Sequence, residues 1–150
     1  MLVSAEKERP HRRIVVGVDG SASSMAALRW ALRQAETTGA EVAAVYAWKY
    51  PMSFGAPIPL LPDVDIAAEA GTALAAAIAR ETAGDSGVRV RRLVVLGDPA
   101  AVLLRESERA ELLVVGDRGR DEVARAMLGS VSQRCVHHAA CPVVVVRERR

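Results

Sequence analysis

The chain has 150 residues, of which 51% are hydrophobic and 25% charged, and its formal net charge is +2 at pH 7. These values are typical of one globular domain, which we place at residues 13–147. No stretch reaches the roughly 18 apolar residues of a membrane span, and the first residues lack the apolar core of a signal peptide. We therefore expect a cytoplasmic protein that does not enter membranes.

The excess positive charge lies at the two ends of the chain, and we interpret residues 1–12 as a basic tail. No aromatic side chains are interleaved with these basic residues, so the pattern favours solvated tails over a nucleic-acid-binding face. We expect no nucleic-acid partner. The basic residues are Arg9, His11, Arg12 and Arg13 at the start, and Arg147, Arg149 and Arg150 at the end.

Lysine and cysteine usage argues against two further kinds of site. Lys7 and Lys49 are the only lysines, and neither forms a GKS or GKT motif, which excludes a Walker-type P-loop. Cys135 and Cys141 lie six positions apart without a CxxC motif. We interpret them as small buried hydrophobic residues rather than zinc or redox ligands.

Short apolar runs alternate with alanine-rich segments of helical period, which predicts β/α units on a parallel sheet. The first strand is predicted at residues 13–19 and the second at 41–48. A helix between them covers residues 20–39, with Ser21 as its N-cap and Gly39 at its end.

Residues 49–63 hold four of the seven prolines and match no period. A loop of this length is either mobile or functional, and we expect it to close over a ligand, because it follows the second strand. A helix is predicted at 64–83. The next strand, at 88–95, first alternates arginine with valine, which indicates a strand at the edge of the sheet.

The last third of the chain repeats the alternation of helix and strand. Asp98 is a predicted N-cap with Pro99 at the first helical position, where proline gives up no needed N–H. Strands are predicted at 111–115 and 141–146. Between them, Ser130 and the glutamine three residues later form an S-x-x-Q capping box that opens a helix ending near His138.

Five parallel strands joined by helices predict a doubly wound α/β fold with strand order 3-2-1-4-5 and helices on both faces. Ligands of such sheets bind where the winding reverses, at the carboxyl ends of strands 1 and 4. The segments that end there are VGVDGS (residues 16–21) and VVGDRG (residues 114–119). Two segments distant in sequence are therefore expected to meet at one site.

Gly116, Gly119 and Gly129 admit two interpretations, a tight turn or the close approach of a phosphate. Glycine N–H groups and the positive end of the helix near Ser130 would form an anion site, to which Arg118 adds a charge. In the alternative, Ser130 is only a helix cap and Arg118 is a solvated side chain.

Two further positions complete this hypothesis. Asp19 either braces a turn or holds a divalent metal that bridges phosphates. An adenine ring would then lie over the end of the second strand, near Val45.

The spacing of Gly116, Gly119 and Gly129-Ser130 resembles the G-2x-G-9x-G(S/T) signature of the ATP-binding universal stress proteins. The stretches IVVGVDGSASSMAALRWA, GDPAAVLL and GSVSQRCVHHAACPVVVV are similar to that family in order and position, and the resemblance covers residues 13–146. It implies a nucleotide site formed by Val18, Asp19, Gly20, Val45, Val115, Gly116, Arg118, Gly119, Gly129, Ser130, Val131 and Ser132.

The resemblance also implies a function. It indicates a regulatory protein that binds ATP with Mg²⁺ and acts as a homodimer in the response to stress or energy state. The dimer would form through the last strand, at Val143, Val144, Val145 and Val146. An exposed apolar edge strand independently favours such pairing.

Two alternatives stay open. Arg120, Asp121 and Glu122 stand where family members often carry small or apolar residues, and carboxylates near a triphosphate repel it. This favours an interaction module whose pocket is empty or holds a cyclic nucleotide. The second alternative is an enzyme that hydrolyses ATP slowly, although no residue is evidently placed for catalysis.

Overall fold

The computed structural model describes residues 12–50, 52–53, 55–57, 65–83, 87–118 and 127–148. Five strands form one parallel sheet: β1 (Arg13–Gly17), β2 (Glu41–Trp48), β5 (Val90–Leu96), β6 (Leu112–Gly116) and β7 (Val143–Val146). A separate two-stranded antiparallel ladder joins β3 (Met52–Ser53) to β4 (Ala56–Pro57). The sheet order is β5-β2-β1-β6-β7, with every neighbouring pair parallel, so the predicted doubly wound order is confirmed.

Four helices cover the two faces of the sheet: α1 (Ala22–Thr38), α2 (Ile66–Glu81), α3 (Pro99–Glu106) and α4 (Ser130–His138). Side chains of successive strand residues point to opposite faces, so the core consists of two layers. Ile14 and Val16 of β1 belong to the layer beneath α1 and α2. Val15 belongs to the layer with α3 and α4.

Local signals explain where two of the described helices begin or end. The Ser21 side chain accepts the N–H of Ser24 at the start of α1, and Gly39 ends that helix with φ at +74°. The Asp98 side chain accepts the N–H of Ala101 at the start of α3, where Pro99 is the first helical residue. These predictions are confirmed.

The capping box predicted for α4 is wrong. Its N-cap is Gly129, with φ −64° and ψ 164°, and no side chain caps the helix. Ser130 is already the first helical residue, so its hydroxyl does not occupy the N-cap position. Glycine at the N-cap supplies no side-chain acceptor to the first turn of α4.

Other boundaries also differ from the prediction. Strand β1 ends at Gly17 rather than at residue 19. Part of the predicted loop at 49–63 forms the β3–β4 ladder, and residues 58–64 lie outside the described part of the chain. Of the predicted basic tail, residues 1–11 also lie outside it. The edge position predicted for the arginine-rich strand is confirmed by β5, which pairs only with β2.

Cys135 is fully buried in the layer beneath α3 and α4, as expected of a small hydrophobic residue. Burial raises the pKa of its thiol to about 11.

Among the described residues, no three histidine, cysteine or acidic side chains gather into a metal site. None of the described helices combines the length and the apolar character needed to cross a membrane.

Candidate functional site

A cleft opens at the carboxyl ends of β1 and β6, where the winding of the sheet reverses. It holds about 610 Å³ of space, part of which is its open mouth. The predicted site residues that line it are Val18, Asp19, Val45, Val115, Gly116, Arg118, Gly129, Val131 and Ser132. The structure thus brings together two segments that lie about one hundred residues apart in the sequence.

Among the described residues, two of the predicted site residues do not line this cleft. Gly20 and Ser130 are neighbours of lining residues but do not form its wall. Gly119 lies outside the described residues, as do Arg120, Asp121 and Glu122.

Five residues that line the cleft were not predicted from the sequence: Gly17, Ser24, Ala47, Pro99 and Leu103. The strand period could have found Ala47, since it follows Val45 by two positions and shares its face. The helical period could have linked Leu103 to Pro99, four positions earlier, but nothing local places α3 beside the cleft.

The turn after β1 is held by the Asp19 carboxylate. Asp19 Oδ1 accepts the N–H of Ser21 at 2.8 Å, and the Asp19 N–H donates to Ser24 Oγ at 3.2 Å. Gly20 between them has φ at +83°, a conformation that glycine adopts without strain. Asp19 therefore braces a turn, as one interpretation held, and it also lines the cleft. Its second oxygen, Oδ2, accepts no hydrogen bond from the described residues.

Gly116 is explained by a contact within the protein. A Cβ atom there would lie 2.5 Å from Ser23 Oγ and 2.9 Å from the backbone nitrogen of Ser24. The end of β6 thus packs directly against the first turn of α1. The group that approaches Gly116 is a helix backbone, and the interpretation that this glycine makes room for a phosphate is not needed.

Gly17 is constrained from the other face of the sheet. A Cβ atom there would lie 2.9 Å from Leu103 Cδ1. Leu103 also lines the cleft, so the missing side chain at Gly17 lets α3 approach the end of β1.

The segment after β6 is anchored at both of its described ends. The Asp117 carbonyl accepts the N–H of Gly129 at 2.7 Å, and Ser132 Oγ lies 3.1 Å from the same oxygen. The Arg118 carbonyl accepts a hydrogen bond from Ser23 Oγ. The Ser132 hydroxyl therefore connects α4 to Asp117, the residue that follows β6. The resemblance assigns this side chain to ribose and phosphate contacts.

The walls of the cleft divide by chemistry. The apolar side chains that line it pack in the core layer with α3 and α4, and they are Val45, Ala47, Leu103, Val115 and Val131. These side chains suit a flat apolar ring, because an apolar surface gains by leaving water.

The polar lining residues include Asp19, Ser24 and Arg118, and the N-cap of α4, Gly129, also lines the cleft. The Arg118 guanidinium lies 3.8 Å from the Asp117 carboxylate and is 27% exposed. Because α4 begins here without a capping side chain, its positive end can accept an anionic group. The cleft can therefore hold a ligand with an apolar ring at one end and a negative charge at the other.

Comparison with known proteins places this fold and cleft in a family. The model of the universal stress protein family matches residues 10–147. Universal stress protein Rv2005c of Mycobacterium tuberculosis is 37% identical over 141 residues, which cover 92% of this chain and 46% of that protein. The chain thus spans about half the length of this relative. Universal stress protein MJ0531 of Methanocaldococcus jannaschii is 29% identical over 154 residues, covering 94% of this chain and 85% of that protein.

A solved structure extends the likeness to three dimensions. A universal stress protein crystallised in complex with cAMP is 28% identical, with a TM-score of 0.68 over 90% of this chain and 95% of that one. The family model, the sequence relatives and the sheet order agree, and this chain belongs to the universal stress protein family.

Proposed function

We propose that this protein binds an adenine nucleotide in the cleft between β1 and β6, and that ATP with Mg²⁺ is its ligand. The observation that carries the proposal is a cleft lined by both apolar and polar residues at the reversal point of a doubly wound sheet. The cAMP complex of a relative 28% identical supports an adenine nucleotide. A role in the stress or energy-state response, in the cytoplasm, is part of this proposal.

The adenine ring would lie against Val45 and Ala47, and the phosphates would lie toward Arg118 and Gly129. The positive end of α4 would face the phosphates, since Gly129 and Val131 at its start line the cleft. Asp19 Oδ2 suits a divalent cation, since it is an oxygen ligand without another described partner. Such a cation would take its remaining ligands from phosphate and water, because the described residues form no further cluster of metal ligands.

The proposal includes a homodimer that forms through β7. This strand pairs only with β6 in the described sheet, and its four valines are all half-buried. The Pro142 carbonyl accepts the N–H of Leu113 in β6, and the Val146 carbonyl accepts the N–H of Asp117, which follows β6. In a parallel ladder the polar groups of Val143 and Val145 therefore face outward. An apolar edge of this kind gains by pairing with a second copy.

The alternative of an interaction module with a cyclic nucleotide has its own support in the cAMP-bound relative. The Arg118 charge is partly offset by Asp117, which favours a ligand of low charge. For slow ATP hydrolysis we identify no catalytic residue in the cleft. A nucleotide series decides between these candidates.

Isothermal titration of the purified protein with Mg-ATP, AMP and cAMP tests the proposal. Val131→Trp should fill the cleft and weaken nucleotide binding by at least about tenfold, a free-energy change of about 1.4 kcal/mol. The matched control is Val136→Trp, on the same helix, where the side chain is 48% exposed and does not line the cleft. Absence of binding to all three nucleotides, or equal affinities of the two variants, would contradict the proposal.

A further inference from the structure

An ion pair connects the two helices that flank the cleft. Asp98 Oδ2 accepts the N–H of Ala101 at 3.0 Å, which caps α3. The same oxygen accepts a hydrogen bond from Arg134 Nη1 of α4 at 2.7 Å. One carboxylate oxygen thus caps α3 and binds a side chain of α4, although Asp98 and Arg134 lie 36 positions apart.

The pair lies next to cleft-lining residues on both helices. Pro99, which directly follows Asp98, and Leu103 line the cleft from α3. Val131, one helical turn before Arg134, lines it from α4. A change in the separation of Asp98 and Arg134 would therefore move two walls of the cleft relative to each other.

The charges around Asp98 keep this link in place at neutral pH. The hydrogen bond from the Ala101 N–H, together with Arg134 and Lys49, lowers the pKa of the Asp98 carboxyl. Lys49 follows β2, so groups from three segments of the chain meet at this carboxylate.

Other ion pairs of the described residues lie elsewhere. Arg29 pairs with Glu81 and so joins α1 to α2 on the opposite face. Arg105 pairs with Glu106, its neighbour in α3. Among the ion pairs of the described residues, Asp98–Arg134 alone links α3 with α4.

We propose that Asp98 and Arg134 are positioning residues that hold the first turn of α4 against α3 and thereby set the width of the ligand cleft. The ligand part of this inference rests on the proposed function. The helix-positioning part stands on the hydrogen bonds alone and can be tested without any ligand.

Two conservative variants break the ion pair without removing the helix cap. Asp98→Asn keeps a side-chain oxygen for the Ala101 N–H but loses the charge, and Arg134→Gln loses the guanidinium. The matched control is Arg105→Gln, another exposed arginine of this helix pair whose partner is its own neighbour. The wild type, these three variants and the Asp98→Asn/Arg134→Gln double variant are compared by amide hydrogen exchange without ligand, by titration with Mg-ATP, AMP and cAMP, and by thermal melting.

Both pair variants should exchange the amides of residues 133–136, which donate hydrogen bonds within α4, about fivefold faster and bind the nucleotide about fivefold more weakly, as suits a half-exposed ion pair. The double variant should bind no more weakly than either single variant, because both remove one interaction. The Arg105→Gln control should match the wild type in exchange and in affinity.

Two results would overturn this inference. Unchanged exchange of the amides of residues 133–136 in both pair variants would show that the pair does not position the helix. A lower melting temperature with unchanged nucleotide affinity would assign the pair a purely structural role. If the wild type binds no nucleotide, the proposed function fails, and the exchange measurement still decides whether the pair positions α4.

Discussion

Substitution of Gly116 by alanine tests the close packing of β6 against α1. The added Cβ would lie 2.5 Å from Ser23 Oγ, 2.8 Å from the Ser23 carbonyl carbon and 2.9 Å from the Ser24 nitrogen. Rotation of the Ser23 hydroxyl relieves only the first contact and breaks its hydrogen bond to the Arg118 carbonyl. The other two contacts involve helix backbone, which cannot move alone.

The expected cost follows from these contacts. Overpacking of a tight core costs about 1–3 kcal/mol, and the lost hydrogen bond adds about 1 kcal/mol. The free energy of unfolding should therefore fall by about 2–4 kcal/mol. For a domain of this size, that change lowers the melting temperature by roughly 5–15 °C.

Gly71→Ala is the matched control for this substitution. Its Cβ would meet only Val94 Cγ2, at an ordinary 3.9 Å, and alanine is favoured over glycine within a helix by about 0.5–1 kcal/mol. Urea denaturation followed by circular dichroism should show Gly71→Ala at or above the wild-type stability and Gly116→Ala well below it. Equal midpoints for Gly116→Ala and the wild type would refute the packing explanation.

Three further predictions concern the edge strand, the buried thiol and the capping carboxylate. Val145→Pro should remove an outward N–H of β7 without breaking its ladder to β6, and so shift the protein toward monomer in sedimentation velocity; an unchanged dimer would place the interface elsewhere. Cys135 should react with a thiol reagent at pH 8 only after unfolding, because it is buried and burial raises the pKa of its thiol to about 11. Rapid reaction of both Cys135 and Cys141 in the native protein would contradict the burial of Cys135. The pKa of the Asp98 carboxyl is lowered in the folded state, so the contribution of this carboxylate to stability should be complete above its ordinary pKa and disappear as the pH falls through its folded-state pKa. Asp98→Asn should therefore flatten this part of the acid unfolding curve. An acid unfolding curve identical to that of the wild type would show that the carboxylate contributes nothing to stability.

Much of the fold is predictable from this sequence because its signals are local. Ser21 and Asp98 cap their helices through N–H groups three residues away, and Gly39 ends α1 with a positive φ. Apolar runs of strand length separated by helical periods leave few right-handed parallel topologies. The strand order and the reversal point, and with them the location of the cleft, followed from these signals.

The sequence alone could not supply the reasons behind several of the site residues. Gly116 is explained by Ser23, far away in sequence, and Gly17 by Leu103 of a later helix. Ser132 looked like a ligand contact, but its hydroxyl is held at the Asp117 carbonyl. The spacing of residue types along a sequence does not show which atoms come into contact in the folded chain.

The sequence by itself determined the elements, their order and the segments that end at the reversal point, because caps, periodicity and crossover handedness act over short stretches of chain. Only the tertiary structure decided that Gly129 rather than Ser130 is the N-cap of α4, and that Asp98 and Arg134 link α3 to α4. Those outcomes depend on how two helices pack against one sheet. Such packing is decided by contacts between segments that are distant in sequence, and no local signal carries them.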